Sequence, residues 1–332
     1  LGLRQYKYEV ETESDTDLPL YYTVFTGRDP DSILFEPNTA EGDDDGNLFK
    51  FNASYAFSSD VMGYVTVSEG FRIGGVNAVA ACPPNVDDIT NQLICALPDE
   101  AMYDADTTTN YEAGIKTSWF KSRFTFNVAA FNVDWEDPQV SGITENGAVG
   151  ILTNAKGANA KGVEISSRAT LSDDLTMYAA YSYAKTEMTD DAFGIFGSTG
   201  DTVYKGDRLP GSPEHQISIG LNYTTELWNR LLDLSYGFTA QSDVYSTLGL
   251  RNYGEELPGY GLSNISAKLS DEAWSVTFYV NNLFDKYAFT SASRNWGDIE
   301  YGNRGSDLQR SYAHYILTPR TVGLKFSYQF GM

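Results

Sequence analysis

The stretch that decides the fold is PRTVGLKFSYQF, residues 319–330. Apolar and aromatic residues take every second position, and small or polar residues take the positions between them. The apolar row consists of Val322, Leu324, Phe326, Tyr328 and Phe330. Because successive side chains of a β-strand point to opposite faces, this pattern predicts a strand with one apolar face and one polar face. Soluble sheets contain such strands too, so the meaning of the pattern depends on whether it recurs.

The same alternation recurs back through nearly the whole chain. It predicts about twelve strands of about ten residues, which is the length that a tilted strand needs to cross a bilayer. The predicted strands cover residues 3–13, 48–57, 61–71, 110–119, 123–135, 161–170, 175–187, 214–224, 232–239, 259–270, 274–281 and 319–330.

The connections between the predicted strands alternate between short and long. Short turns fall at 58–60, 121–122, 172–174, 226–230 and 270–272. The loops between them hold about fifteen to thirty-five residues, and this sided alternation is typical of outer-membrane barrels, which have short turns at one end and long loops at the other. A soluble sandwich has no such constraint, so the pattern argues against a soluble β-rich glycan-binding protein. The sequence therefore predicts an all-β, antiparallel transmembrane β-barrel.

Two details of this pattern stay open. The strand 123–135 alternates cleanly to Ala130, and then Phe131, Val133 and Trp135 take the opposite parity. A β-bulge or aromatic side chains turned to the interior would each explain the change. The long loop that follows has room for a small hairpin around Asn146-Gly147.

Composition narrows the class of protein further. The formal net charge is −22, with 45 Asp and Glu against 23 Lys and Arg, so nucleic acid is not an expected partner. Aromatic residues make up 14% of the chain, as the two aromatic girdles of a membrane barrel require. No run of eighteen apolar residues exists, which excludes a transmembrane helix. Mean hydropathy is −0.33, and a barrel tolerates this value because half of each strand faces a polar interior.

The two cysteines, Cys82 and Cys95, lie in one polar loop. In an oxidising compartment their spacing predicts a loop disulfide. Two free thiols or a weak metal pair are the alternatives. The acidic loop residues could bind Ca²⁺ or bridge to lipopolysaccharide, but Asp43 to Asp45 lack the glycine and distal glutamate of a calcium loop of the EF type. A solvated surface is the preferred interpretation for Asp43, Asp44, Asp45, Asp87, Asp88, Asp104 and Asp106.

Several stretches, in chain order, resemble the C-terminal half of a TonB-dependent receptor, a plugged barrel of the Gram-negative outer membrane. These stretches are VSEGFRIGG (67–75), YEAGIK (111–116), NAKG (154–157) with GVE (162–164), RLPGSP (208–213), VNNLFDKY (280–287) and PRT (319–321). The resemblance implies a barrel of about 22 strands with an N-terminal plug. Residues 1–332 are then expected to form one partial barrel domain, with the plug and about ten strands outside this sequence. An open half-barrel would leave unpaired strand edges in lipid, so a longer protein is expected.

The resemblance also implies a function. A scarce ligand is captured by the outer loops and imported with energy from TonB. Iron–siderophore complexes are the expected cargo, and carbohydrate or cobalamin import is the alternative. TonB, outer-membrane lipid and lipopolysaccharide, the barrel-assembly machinery and the imported small molecule are the expected partners. No cofactor or metal site is predicted. The final strand is the expected assembly signal, through Phe326, Tyr328 and Phe330, although Gly331 and Met332 follow that last phenylalanine.

Two sets of side chains are candidates for contacts with ligand or plug. Arginine beside aromatic rings could grip a carboxylate, a catecholate or a sugar, although ordinary loops show the same composition. This loop set consists of Arg251, Tyr253, Arg294, Trp296, Tyr301 and Arg304. The second set lies on the inward parity of the strands and is expected to form ladders across the lumen wall or to face the plug. It consists of Glu112, Lys116, Glu164, Arg168 and Asp233.

Two other barrel classes share features with this sequence. The outer-membrane phospholipase is a twelve-stranded barrel with a Ser–His pair on its lipid face, and His215 lies on the outward parity here. No serine is marked as its nucleophile, so no catalytic residue is predicted and an enzyme is not expected. The translocator barrel of an autotransporter also has about twelve strands. It needs an interior helix, and no helical stretch precedes residue 3; the loops here are also longer than such a pore needs.

Overall fold

The computed structural model describes residues 1–14, 38–82, 92, 95–147, 149–198, 200–251, 254–294 and 312–330. Its strands, in chain order, are β1 (Gly2–Ser14), β2 (Asn38–Ala56), β3 (Val61–Arg72), β4 (Gly75–Val76), β5 (Met102–Tyr103), β6 (Asp106–Trp119), β7 (Phe124–Glu136), β8 (Gln139–Ile143), β9 (Gly150–Asn154), β10 (Gly157–Thr170), β11 (Leu175–Met188), β12 (His215–Leu227), β13 (Arg230–Gln241), β14 (Val244–Tyr245), β15 (Glu256–Leu257), β16 (Tyr260–Ser270), β17 (Trp274–Asn281), β18 (Phe289–Arg294), β19 (Tyr312–Ile316) and β20 (Thr321–Tyr328).

Twelve of these strands form a single antiparallel sheet. The order across the sheet is β1-β2-β3-β6-β7-β10-β11-β12-β13-β16-β17-β20, so neighbours in space follow one another along the chain. Each of the twelve strands predicted from alternation is present, which confirms the all-β antiparallel fold class. In the described part of the chain β1 and β20 each pair on one side, so the sheet is not closed.

The two faces of this sheet differ in chemistry, as the alternation predicts. One register row carries Lys116, Asn127, Ser166, Ser218 and Thr239 along the polar face. The opposite, apolar face exposes large side chains, among them Phe51, Val65, Ile115, Ile217, Leu234, Phe278 and Leu324. A soluble sheet would bury that row, because contiguous exposed apolar surface of this extent marks an interaction with another apolar phase.

The short turns all lie at one end of the sheet. The connection from β12 to β13 is two residues long, Trp228 and Asn229, with φ angles of 54° and 57°. Positive φ at both positions gives the type I′ geometry that matches the twist of a hairpin. Large exposed side chains gather at the same end, namely Phe57, Phe120, Leu171, Trp228 and Phe330. They form the row that an interfacial girdle requires.

The structure decides the open question in β7. Its register with β6 and with β10 runs without a shift, so the strand contains no bulge. Phe131 and Trp135 therefore lie on the polar face. The guanidinium group of Arg72 lies 4.8 Å from the centroid of the Trp135 ring. Inward aromatic side chains are the correct explanation.

The acidic stretch before residue 48 is a correction to the sequence prediction. It was expected to be irregular, but β2 begins at Asn38, and Asp44 and Asp45 pair with Tyr8 and Lys7 of β1. Aspartate disfavours strands, but an adjacent strand that satisfies the backbone hydrogen bonds overrides this weak preference. The long loops also contain more structure than predicted. The hairpin β8–β9 around Gly147 was foreseen, whereas β4–β5, β14–β15 and β18–β19 were not.

The buried apolar core lies mostly in the loops, and only Ala158 and Met188 come from the ends of the sheet strands β10 and β11. It consists of Ala155, Ala158, Met188, Ala192, Ile195, Phe196, Val203 and Leu248. Its members come from several connections at the end opposite the short turns, so these loops pack on one another as a folded layer. Helical structure in the described residues is limited to a 3-10 turn at Leu248–Leu250, and none of it is long and apolar enough to cross a bilayer.

Candidate functional site

The long connections at the end opposite the short turns form the candidate site, here called the loop layer. It comprises the described parts of 73–105, 137–156, 189–214, 242–259 and 282–320. Asn77 joins the first connection to the second. Its Nδ2 donates to the Leu152 carbonyl at 2.8 Å, and its Oδ1 accepts from the Leu152 amide at 2.8 Å. The Asn77 side-chain amide thus satisfies both backbone groups of Leu152, as a neighbouring strand would, and it ties the two loops together.

A buried carboxylate strengthens the same contact. Glu100 is 9% exposed and is held by N–H donors. Its Oε2 accepts from Gln92 Nε2 at 2.5 Å and from the Leu97 amide at 2.8 Å, while Oε1 accepts from the Glu145 amide at 2.5 Å. A buried carboxylate is costly unless hydrogen bonds replace its hydration. Glu100 therefore connects the loop that contains Cys82 and Cys95 to the β8–β9 hairpin.

A disulfide closes the cysteine loop beside this joint. Cys82 and Cys95 are bonded in the structure, with their Cα atoms 4.8 Å apart. The neighbouring Ala81 and Ala96 form an isolated bridge. Gln92 and Glu100 lie three and five residues from Cys95, so the bond closes the loop directly beside their contact.

We expect this disulfide to persist in the isolated protein. Alkylation of native protein should add no mass, and alkylation after reduction should add two equivalents, which intact-mass spectrometry would read directly. Reduction should also increase hydrogen exchange at Glu145, because the loop that carries its carboxylate partner gains chain entropy. Two thiols that alkylate without reduction would contradict the assignment.

Two arginine–aspartate pairs connect the third and fourth loops. Arg208 donates to the Asp243 carboxylate at 2.7 Å and to the Ser212 carbonyl at 2.7 Å, and its guanidinium lies over Tyr245 at 4.9 Å. Its side chain is only 13% exposed. A largely buried arginine that is both hydrogen-bonded to a carboxylate and stacked on an aromatic ring fixes geometry more tightly than a surface ion pair.

The second pair involves a residue predicted to bind ligand. Arg251 donates from Nε and Nη2 to the Asp207 carboxylate, at 3.0 Å in both bonds, and lies over Tyr204 at 5.2 Å. The hydrogen bond to Asp207 raises the pKa of Arg251. These hydrogen bonds occupy Nε and Nη2 of the guanidinium group. A contact between Arg251 and a ligand stays a prediction.

We expect Arg208→Ala to loosen the third and fourth loops. Loss of its bonds to Asp243 and Ser212 should lower the local opening free energy by about 2 kcal/mol, because carboxylate and carbonyl acceptors are left unpaired. Hydrogen exchange of residues 200–214 and 242–251 measures the effect. The control is Arg123→Ala, whose partner Asp173 is 93% exposed and whose loss should change little. Equal exchange in the two variants would contradict the role given to Arg208.

A histidine links the fifth connection to the layer. His314 Nε2 lies 2.5 Å from Glu255 Oε2, and its ring stacks on Phe289 at 4.2 Å. This link was not predicted, since the partners lie 59 residues apart and no local pattern marks them. The described parts of all five connections are therefore joined into one continuous layer.

The polar face of the sheet carries the residues predicted to line the lumen. Glu112, Lys116, Glu164, Arg168 and Asp233 all lie on this face by register. Tyr64 donates to Glu112 at 2.5 Å, and the Lys116 ammonium lies 5.1 Å from the Tyr64 ring centroid. Lys116 and Glu164 also line a groove of about 710 Å³. Their contact with a plug stays a prediction.

The remaining candidates have varied positions. Arg294 ends β18, and its side chain lies outside the described residues, as do Tyr253, Trp296, Tyr301, Arg304, Asp87 and Asp88. Asp106 is 1% exposed and accepts bonds from Arg72 and the Gln139 amide, so it is structural rather than a solvated loop acid. His215 Nδ1 lies 2.8 Å from the Tyr181 hydroxyl on the apolar face. Among the described residues no three His, Cys, Asp or Glu side chains are grouped to hold a metal ion.

An apolar outward face, a polar inner face, short turns at one end and a folded loop layer at the other define the wall of a transmembrane β-barrel. The family model for the β-barrel of TonB-dependent receptors matches residues 1–283. The chain therefore belongs to the TonB-dependent receptor family, whose named relatives include outer-membrane receptors.

Curated relatives and solved structures agree with this assignment. The ferric-pyoverdine M114 receptor PbuA of Pseudomonas sp. (strain M114) is 28% identical over 203 residues, which are 58% of this chain and 23% of that protein. The ferrichrome outer membrane transporter/phage receptor of Escherichia coli K12 is 28% identical over 148 residues, 42% of this chain and 18% of that protein. The matches thus span about a quarter or less of the curated relatives' length.

Among solved structures, the ferric yersiniabactin uptake receptor FyuA of Yersinia pestis has a TM-score of 0.68 at 21% identity and covers 89% of this chain and 39% of its own. The siderophore receptor PiuA of Acinetobacter baumannii has a TM-score of 0.67 at 16% identity, with 98% of this chain and 40% of its own covered. At these identities the likeness concerns the fold alone.

Proposed function

We propose that this chain forms the C-terminal wall and outer loops of an outer-membrane receptor that imports a metal–siderophore complex with energy from TonB. The observation that carries the proposal is the loop layer itself. Glu100 and Arg208 link neighbouring connections, His314 joins the fifth, and the buried apolar core joins the second to the third, so the described parts of five long connections form one folded body at the mouth of a barrel wall. A passive pore gains nothing from such a body, whereas a receptor needs a preorganised capture surface.

The names of the relatives support a metal chelate as the proposed cargo class. The receptors named above act on ferric pyoverdine and ferrichrome, and a further relative at 27% identity is the metal-pseudopaline receptor CntO of Pseudomonas aeruginosa. These names share a metal chelate as the ligand. Arginine and aromatic rings suit carboxylates and catecholates. The side chains proposed to grip an anionic chelate are therefore Arg251, Tyr253, Arg294, Trp296, Tyr301 and Arg304.

The remaining parts of the transporter belong to the same proposal. Residues 1–332 act as one barrel domain, and the polar face with Glu112 and Lys116 meets a plug domain supplied elsewhere in the protein. TonB contacts that plug, and the barrel-assembly machinery inserts the protein through its last strand.

Growth and binding test the proposal. A strain deleted for the complete reading frame should fail to grow on one ferric siderophore under iron limitation, with ferric pyoverdine, ferrichrome and ferric citrate as first probes. Plasmid-borne receptor should restore growth, and a tonB deletion should abolish uptake while leaving surface binding of the radiolabelled ferric complex unchanged. Normal growth on every ferric chelate, with loss of growth on a glycan or on cobalamin, would refute the siderophore assignment.

A further inference from the structure

Arg72 lies on the polar face of the sheet, at the end of β3 that leads into the loop layer. It is the direct cross-strand partner of Asp106 and shares the inward parity of Tyr64, whose hydroxyl donates to Glu112. Trp135 lies on the same face in β7 and packs against the buried apolar core of the loops. Arg72 therefore lies where the loop layer meets the interior of the barrel wall, and neither set of candidate side chains includes it.

The guanidinium group of Arg72 is held in one orientation. Its Nε donates to the two carboxylate oxygens of Asp106 at 3.1 and 3.0 Å, and its Nη2 donates to one of these oxygens and to the Gln139 carbonyl at 3.3 Å. One face of the group lies over the Trp135 ring. An arginine bound in this way has already lost most of its rotamer freedom, so a further partner adds little ordering cost.

The remaining edge of the guanidinium group is open. Among the described residues Nη1 has no hydrogen-bond partner, so its N–H groups are free to donate. The Arg72 side chain is 51% exposed, whereas the side chain of Asp106 is 1% exposed. The buried carboxylate thus lies behind the cation, and the pair presents its positive end to the interior. Such an edge suits an anionic oxygen atom, to which charge-assisted hydrogen bonds are short and strong.

The neighbouring acids do not occupy this edge. Glu112, the inward acid further along β6, accepts from a tyrosine hydroxyl at 2.5 Å. Asp104 contacts the loop layer through its backbone carbonyl, which accepts from a glutamine side chain at 3.0 Å. Within the described part of the chain, the ion pair of Arg72 is with Asp106 alone. The free donors of Arg72 therefore stay available to a group that enters from the mouth.

We propose that the free edge of Arg72 binds an anionic oxygen of the metal chelate at the floor of the mouth, below the loop layer. Asp106 is a positioning residue that holds the guanidinium group, and the Trp135 ring sets its plane. The inference rests on the proposed import of a metal chelate. It adds the class of cargo, because a chelate with an accessible anionic oxygen gains a charge-assisted hydrogen bond here that a neutral chelate lacks.

Chelate binding by the receptor expressed from its complete reading frame tests this inference. Quenching of tryptophan fluorescence would give dissociation constants for ferric dicitrate and ferric 2,3-dihydroxybenzoate, which are anionic, and for ferrichrome, whose hydroxamates neutralise the ferric ion. Arg72→Gln should weaken binding of an anionic chelate by about tenfold and leave ferrichrome binding unchanged. The matched control is Arg123→Gln, which removes an arginine paired with Asp173 at the short-turn end and should change neither class.

Two further variants separate binding from folding. Arg72→Gln alone leaves Asp106 buried without its cation, which is costly. Arg72→Gln with Asp106→Asn removes both charges and keeps two side chains that can hydrogen-bond, so it should fold and show the same loss of anionic-chelate binding. Asp106→Asn alone keeps the cation and removes the carboxylate behind it, so it should bind anionic chelates at least as tightly as the wild type. A purely structural pair would make both single variants lose affinity for all chelates alike.

Four results would overturn the role of Arg72. They are normal binding of anionic chelates by Arg72→Gln, an equal loss for ferrichrome, a loss in Asp106→Asn as large as in Arg72→Gln, and a wild-type receptor that binds neither anionic chelate. Growth separates this failure from failure of the proposed function. TonB-dependent growth on ferrichrome without binding of either anionic chelate would remove only the role of Arg72, whereas no growth on any ferric chelate would remove the import proposal itself.

Discussion

Removal of residues 319–332 should abolish insertion of the receptor into the outer membrane. β20 pairs with β17 over eight positions, from Trp274 with Tyr328 to Asn281 with Thr321. Without β20 the edge of β17 would carry unpaired N–H and C=O groups into hydrocarbon, where each costs several kcal/mol. The outward row that ends at Phe330, which is 87% exposed, would be lost with it. We expect no heat-modifiable species in the outer-membrane fraction and degradation of the chain before it reaches the membrane.

The matched control removes twice as many residues from the same region. Ala288 and Leu317 are joined by a backbone hydrogen bond of 3.0 Å, so a short Gly-Ser linker can replace 289–316 without disturbing β17 or β20. This variant loses the β18–β19 hairpin and should still insert, although ligand binding should fall. Insertion of the 319–332 deletion, or failure of the loop deletion alone, would show that the closing strand does not have the role assigned to it.

The strand prediction is confirmed because every strand of the sheet follows the same two-faced alternation. Alternation fixed the twelve-strand order, and polar side chains such as Lys116 and Ser218 fell on one face as expected. The sequence prediction is wrong where the neighbouring strand, rather than the residues' own β-propensity, determines whether a segment is a strand. The acidic start of β2 is a strand because β1 pairs with it, and Asp45 opposite Lys7 could not be foreseen from local composition.

The candidate site was far less predictable. The sequence identified Cys82 and Cys95 and the general arginine chemistry of the loops, but the joints of the loop layer depend on contacts between distant segments. Arg251 was selected as a ligand residue from composition, whereas the structure engages it with Asp207, 44 residues away. Glu100 had no motif at all. Side chains that link loops leave no periodic signal, so only the folded structure brings them together.

Replacement of Gly162 by alanine should destabilise the barrel by about 3 kcal/mol or more, at the upper end of overpacking costs. Gly162 lies on the polar face of β10, opposite Phe131 and Ala184. A Cβ atom there would overlap the Tyr183 carbonyl oxygen and come within 2.9 Å of the Phe131 ring. The carbonyl belongs to the backbone of the neighbouring strand, so relief of the overlap must move β11 itself.

Two other glycines on the same face give a graded series. A Cβ at Gly220 would overlap the ring of Tyr178, which can swing aside, so Gly220→Ala should cost about 1 kcal/mol. A Cβ at Gly237, directly opposite Gly220, would meet nothing within 4 Å. Gly237→Ala should therefore be neutral or slightly stabilising, because alanine restricts the unfolded chain. Urea unfolding of the full-length receptor in detergent should rank the variants in this order. Equal midpoints for the variants of Gly162 and Gly237 would show that the close approach between β10 and β11 does not govern stability.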